Sequence, residues 1–175
     1  MTDAAPVSIH ASAVLVENRA VLIRGPSGAG KSRLAFDLIL AGRSGQIPRA
    51  VLVGDDRVFL DAGDGQIVVR PARQLAGLIE IRGLGIRRCE FVAEAVVGLV
   101  VDLGAADAER LPQPEALVTR INGVSIPRIP VGSGHAAFPL VAAALITADR
   151  LTSPQPSDDC SKGIGNHIRP IIATE

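Results

Sequence analysis

Apolar positions along the chain fall in short bursts, mostly β-branched, and each burst is closed by Gly, Pro or charge. Ile9 to Val16 forms one such run, Glu17-Asn18-Arg19 interrupts it, and Ala20 to Arg24 resumes it, a pattern that predicts a hairpin. The second arm leads straight into a glycine-rich stretch, after which Leu34, Ala35, Leu38 and Ile39 recur at helical spacing, so strand, loop and helix follow in that order. Gly42, Gly45 and Pro48 end the helix, and Ala50 to Val53 makes a further strand that stops at Gly54-Asp55-Asp56.

Downstream, Val58 to Leu60 and Ile67 to Val69 flank a Gly- and Asp-rich turn, and Val118 to Ile121 and Val124 to Ile129 flank Asn122-Gly123; both read as hairpins. Between them, Ala95 to Leu103 is a strongly apolar run carrying Asp102 near its end, expected to be a strand buried on both faces. The best late helix is Ala136 to Leu151, with Leu140, Ala143, Ala144 and Leu145 as its apolar side. From Thr152 on, Ser, Pro, Asp and Gly dominate until a short patch at Ile168 to Ile172. The expected organisation is one α/β domain over residues 1–152, a P-loop-containing mixed β-sheet with flanking helices, and a mobile polar tail over 153–175.

Composition narrows the range of functions. A chain of 175 residues that is 47% apolar and 21% charged can bury a continuous core, unlike a disordered chain. Its 18 basic residues balance its 18 acidic ones, and with no Trp or Tyr it has neither a field nor stacking platforms for nucleic acid. The stretch Met1 to Pro6 lacks the features of a secretory signal, and no apolar run approaches the roughly 18 residues of a spanning helix, so a cytoplasmic protein without membrane insertion is expected. Cys89 and Cys160 match no metal-ligand spacing and are read as reduced thiols.

The candidate chemistry begins at Gly25-Pro26-Ser27-Gly28-Ala29-Gly30-Lys31-Ser32, a complete Walker A pattern in its required strand-to-helix context. The glycines let successive backbone N–H groups converge on phosphate oxygens, and the helix adds the positive end of its dipole. Lys31 would meet the β- and γ-phosphates, and the Ser32 hydroxyl would enter the shell of Mg²⁺. Asp55 and Asp56, just past a strand end, could be a solvated turn; beside a P-loop, a carboxylate there can instead ligate the metal or receive the proton of an attacking hydroxyl. Glu80 lies in Gly77-Leu78-Ile79-Glu80-Ile81-Arg82-Gly83-Leu84-Gly85-Ile86, by itself an ordinary strand and turn whose three glycines would let backbone approach a ligand.

Taken together, His10 fifteen residues before Gly25, the Gly-Pro-Ser-Gly-Ala-Gly-Lys-Ser loop, Gly-Asp-Asp-Arg-Val and Ile-Glu-Ile-Arg-Gly-Leu-Gly-Ile resemble the catalytic domain of HPr kinase/phosphorylase. The resemblance covers Ile9 to Leu151 and is similar to the short, single-domain alphaproteobacterial type. It implies the phosphoenolpyruvate carboxykinase/HPr kinase-like fold, and a bifunctional enzyme that phosphorylates a serine of the phosphocarrier HPr with ATP and removes it with inorganic phosphate, releasing pyrophosphate. By position it implies that Asp55 is the base, that Asp56 supports it and its metal, that His10 lies beside the incoming serine, and that Glu80 helps Ser32 bind Mg²⁺. It also implies a homohexamer.

The chain departs from that pattern where many members have Pro-Val-Arg-Pro-Gly-Arg-Asn. Here Pro130-Val131-Gly132-Ser133-Gly134-His135-Ala136 stands instead, without either arginine. The loss motivates an alternative, a nucleotide-sensing regulatory module that binds ATP without transferring phosphate. The bare P-loop also leaves open a small-molecule kinase.

Overall fold

The computed structural model describes residues 7–147. Eleven strands, two α-helices and two short 3₁₀ helices occur among them. The order begins β1 (Val7–Ile9), β2 (Ser12–Val16), β3 (Arg19–Arg24), α1 (Lys31–Arg43) and β4 (Ala50–Gly54). It continues β5 (Val58–Gly63), β6 (Gln66–Pro71), β7 (Leu78–Ile81), β8 (Gly85–Arg88), β9 (Ala95–Leu103), β10 (Val118–Ile121), β11 (Val124–Val131) and α2 (Ala137–Ile146).

Nine strands form one mixed sheet with the main path β1-β5-β6-β9-β3-β2-β4. The phosphate-loop strand β3 runs parallel to β9 on one side and antiparallel to β2 on the other. Strand β9 is shared on its far edge: its start pairs antiparallel with β6 and its end pairs parallel with β11. The two-residue period of the strands feeds two cores. Val14, Val16, Val21 and Ile23 pack toward α1, while Ala13, Ala20 and Leu22 pack against Val58, Leu60, Ile67 and Val69 of the β5–β6 hairpin. One face of the central strands is thus covered by a helix and the other by the sheet's own far end.

The predicted hairpins form, and so does α1, which buries Leu34, Ala35, Leu38 and Ile39 as its spacing requires. The first apolar run does not make one strand. It breaks at His10, so that β1 pairs with β5 while β2 pairs with β3 and β4. An apolar pattern conceals such a change of partner, because half-buried Ile9 of β1 and the buried residues of β2 read alike in sequence. Strand β9 buries Val97, Val100, Val101 and Leu103 but leaves Ala95, Val96, Gly98 and Leu99 half-buried, less than the two-faced burial expected. In α2 the side facing the core is carried by Val141, while Leu140, Ala143 and Ala144 are exposed and Leu145 is half-buried, so the helix is rotated from the orientation its spacing predicted. The helix ends at Ile146, short of the expected Leu151; residues 148–151, the expected tail, Cys160 and the 168–172 patch lie outside the described residues.

Candidate functional site

Strand order brings the site together at one end of the sheet. Strand β3 ends two residues before Pro26, β4 ends at Gly54, and β2, antiparallel to both, begins between them: Ser12 is opposite Ile23 and Ala13 is opposite Gly54. Glycine is required at the loop's start, where Gly25 has φ of 149° and a Cβ would lie 2.8 Å from the Leu103 carbonyl oxygen. Gly30, at φ 95°, turns the chain into α1. That helix has neither a side-chain cap nor an acidic residue in its first turn, which leaves its leading N–H groups available to an anion.

Lys31 is 5% exposed, and its ammonium donates to the carbonyls of Gly25 (2.9 Å) and Pro26 (3.0 Å), folded across its own loop. Burial lowers its pKa from the ordinary 10.5, against the opposing attraction of Asp55 and Asp56. A group held this way is stabilised as a cation once phosphate oxygens arrive.

The adjacent aspartates have opposite surroundings. Asp55 is 3% exposed; its Oδ1 accepts from the hydroxyls of Ser12 (2.6 Å) and Ser32 (2.9 Å), and its Oδ2 from the Glu80 backbone N–H (3.0 Å). Asp56 has a positive φ of 64° within a tight turn closed by the Arg57 N–H on the Asp55 carbonyl at 2.8 Å. The turn sends its side chain outward, 68% exposed, with the His10 Nε2 3.2 Å from its Oδ1. Glu80 therefore reaches the site through its amide, while its side chain is exposed on β7.

A cleft of about 520 Å³ lies over the loop, between Pro26 to Gly30 with Arg33 and Leu34 on one side and the segment Val131 to Phe138 on the other. The far wall is the stretch where arginines are missing, so here it offers Gly132, Ser133, Gly134 and His135. A second cleft of about 320 Å³ is bordered by His10, Arg24, Arg120 and Asn122 with Ile9, Leu60 and Ile121.

Of the residues singled out from sequence, Lys31 contacts Gly25 and Pro26 of its own loop, Ser32 contacts Asp55, and His10 contacts Asp56, while Glu80 joins them through its backbone N–H and not through the side chain expected to bind Mg²⁺. Two features escaped that reading. Ser12, fully buried, had only the signal of a hydroxyl within an apolar run. Asp102, at the end of the strand parallel to β3, occupies the usual place of a metal-binding carboxylate, yet it is already neutralised. Arg24 grips both its oxygens (2.7 and 2.8 Å) and Arg128 donates to it at 2.5 Å. Burial pushes its carboxyl upward, but the hydrogen bonds and charges of the two arginines outweigh this and hold it below the usual 3.8. Cys89 is half-buried and free, and burial raises its thiol pKa against the opposing effect of Arg43, which fits the chemically quiet role expected of it.

No three His, Cys, Asp or Glu side chains cluster into a metal cage among the described residues. The donors present are the Ser32 hydroxyl and the Asp55 carboxylate, hard oxygens beside a phosphate loop, which fits Mg²⁺ held by a few protein oxygens and by substrate phosphates. No described helix is long and apolar enough to cross a membrane.

Residues 3–154 match the family model described as the HPr Serine kinase C-terminal domain. The chain is 40% identical over 142 residues to an HPr kinase/phosphorylase of Enterococcus faecalis, covering 73% of this chain and 43% of that protein. It is 31% identical over 150 residues to one of Mycoplasma mycoides, covering 78% and 46%. It thus spans less than half the length of these curated relatives. A solved Hpr(Ser) kinase/phosphatase from Coxiella burnetii superposes with a TM-score of 0.63 at 25% identity, covering 80% of this chain and 93% of that one.

Proposed function

Because the chain belongs to the HPr serine kinase C-terminal domain family, we propose that it is an ATP-dependent protein-serine kinase, and also a phosphorylase, acting on HPr or a related phosphocarrier in the cytoplasm. The observation that carries this reading is the convergence of a Walker A loop with a buried and an exposed aspartate, the exposed one paired with a histidine.

Phosphoryl transfer asks the protein mainly to position reactants and balance charge. The loop N–H groups and Lys31 would hold the nucleotide phosphates, with Lys31 exchanging its two carbonyl partners for phosphate oxygens. Ser32 and Asp55 would hold Mg²⁺, which when bound offsets the charge of the transferred group; Glu80 would serve by fixing Asp55 through its amide. The resemblance assigns the base to Asp55, but a carboxylate that is 3% exposed and enclosed by Ser12, Ser32 and the Glu80 amide offers little access to the serine of an incoming protein. Asp56 is exposed and next to His10, and we assign it the proton: it would take the serine hydroxyl's proton as the oxygen bonds to the γ-phosphorus and ADP leaves. In the reverse direction it would return that proton to the serine oxygen as inorganic phosphate takes the phosphoryl group and forms pyrophosphate. His10 would orient Asp56 on the side from which the acceptor enters.

Exposed aliphatic side chains at Leu84, Ile86, Leu140 and Ile146 support association into a homo-oligomer, a hexamer by resemblance. The test of function is direct: incubate the chain with HPr from the same cell, ATP and Mg²⁺, and follow HPr by intact mass. One added phosphate, absent with Lys31→Ala, is the expected result. Unmodified HPr together with Lys31-dependent ATP binding would leave the nucleotide-sensing module as the account of the site.

A further inference from the structure

We propose that Ser12 is a positioning residue that clasps the metal-side carboxylate to the phosphate loop; this rests on the role of Asp55 proposed above. Three observations carry it. Ser12 is fully buried, and its hydroxyl donates to Asp55 Oδ1 at 2.6 Å, the shortest of the three hydrogen bonds on that carboxylate. A buried hydroxyl in a strand otherwise made of Ala, Val and Leu has a desolvation cost that only such a bond offsets. Its place in the sheet is equally specific: at the start of β2 it lies opposite Ile23, two residues before the loop, and next to Ala13, which is opposite Gly54. Ser12 thus stands between the strand that delivers the loop and the strand that delivers the acidic pair.

The same short crossing holds both acids. His10 contacts Asp56, and two residues later Ser12 contacts Asp55, on either side of the break where the chain leaves β5 for β3. The sharing of one oxygen explains why a second hydroxyl is useful. Ser32 is the group expected to turn its oxygen toward a metal ion, whereas Ser12 lies on a strand and keeps its direction whether or not nucleotide is present. Its hydrogen bond holds the carboxylate plane while Ser32 changes partners, so the oxygens meet the ion without reorganisation.

The test compares affinities for a non-hydrolysable ATP analogue in Mg²⁺ and in EDTA, in the parent chain and in Ser12→Ala, Ser12→Cys and Ser12→Thr, with thermal melts of each. In the parent, Mg²⁺ tightens binding. Losing one charge-assisted hydrogen bond should shrink that metal-dependent gain about tenfold in Ser12→Ala while the EDTA affinity stays put, and Ser12→Thr should restore it. A purely structural role would move both arms together. If Thr's extra methyl prevents folding, Ser12→Cys, similar in size but a weak donor, must fall between parent and Ala. A Ser12→Ala gain equal to the parent's, or a folded Thr variant that restores nothing, overturns the proposal and leaves the kinase reading intact. A parent with no metal-dependent gain overturns it together with the metal-side role of Asp55. A parent that shows the gain but never phosphorylates HPr sinks the kinase reading and leaves Ser12 standing.

Discussion

At the scale of single residues, two neighbouring aspartates differ because a tight turn at Asp56 points one side chain inward and the other out. They should fail differently when neutralised. Asp56→Asn is expected to lower kcat by roughly 10²–10⁴-fold, the range of a lost general base, with nucleotide affinity nearly unchanged. Asp55→Asn should instead weaken Mg²⁺-dependent nucleotide binding, because its amide nitrogen replaces one accepting oxygen with a donor, facing either the two serine hydroxyls or the Glu80 N–H, and the carboxylate charge is lost. Nucleotide titration with and without Mg²⁺, beside single-turnover transfer to HPr, separates them; equal effects of the two variants would refute this division. Lys31→Ala should cost roughly 10²–10³-fold in kcat, as loss of one positioned donor to a charge in the transition state does, and the same transfer assay reads it.

At the scale of elements, β3 and β9 run side by side, and the end of β9 both shapes the loop and carries Asp102. Gly25→Ala would drive a Cβ into the Leu103 carbonyl at 2.8 Å, so nucleotide binding should be lost before the fold is, visible as titration failure in a protein with native circular dichroism. Asp102 has the structural part. Its folded-state pKa lies below the unfolded value, so its stabilisation is complete above about pH 4 and is lost as pH falls through the depressed folded value. Asp102→Asn should cost about 2–3 kcal/mol near neutrality, because Arg24 and Arg128 lose their charge-assisted acceptor, and urea melts should show a flatter acid limb than the parent. Chemical denaturation between pH 2 and 7 checks both the size and the slope.

These elements also explain what was legible in the chain. The loop, α1 and the hairpins depend on local chemistry: φ-specific glycines, a helical apolar stripe, and turn residues such as Asn122-Gly123. The break at His10 and the rotation of α2 are decided by which strand or face is available across long sequence separations, and an apolar letter reads the same in either setting. Asp102 illustrates the same limit in the site: its position at a strand end suggests metal chemistry, and only the arrival of Arg24 and Arg128 reveals a neutralised carboxylate. Ser12 was silent because its partner lies 43 positions away.

At the scale of the whole molecule, the two cores are not separable units, since alternate residues of the same strands enter each. Ile23 packs with α1 and its neighbour Leu22 packs with the β5–β6 hairpin, both fully buried. Loosening either core withdraws support from β3, the strand that carries the phosphate loop, and from the β9 strand paired beside it. Unfolding should therefore be a single cooperative transition for both cores. Leu22→Ala and Ile23→Ala, each costing about 2–5 kcal/mol through lost burial and the cavity left behind, should lower the midpoint of that one transition by roughly similar amounts. The measurement is a thermal melt of each variant followed by calorimetry and by far-ultraviolet circular dichroism. Coincident curves are expected from both probes; a variant that melted one core while the other stayed folded would show that the curled far end of the sheet and the α1 face fold independently.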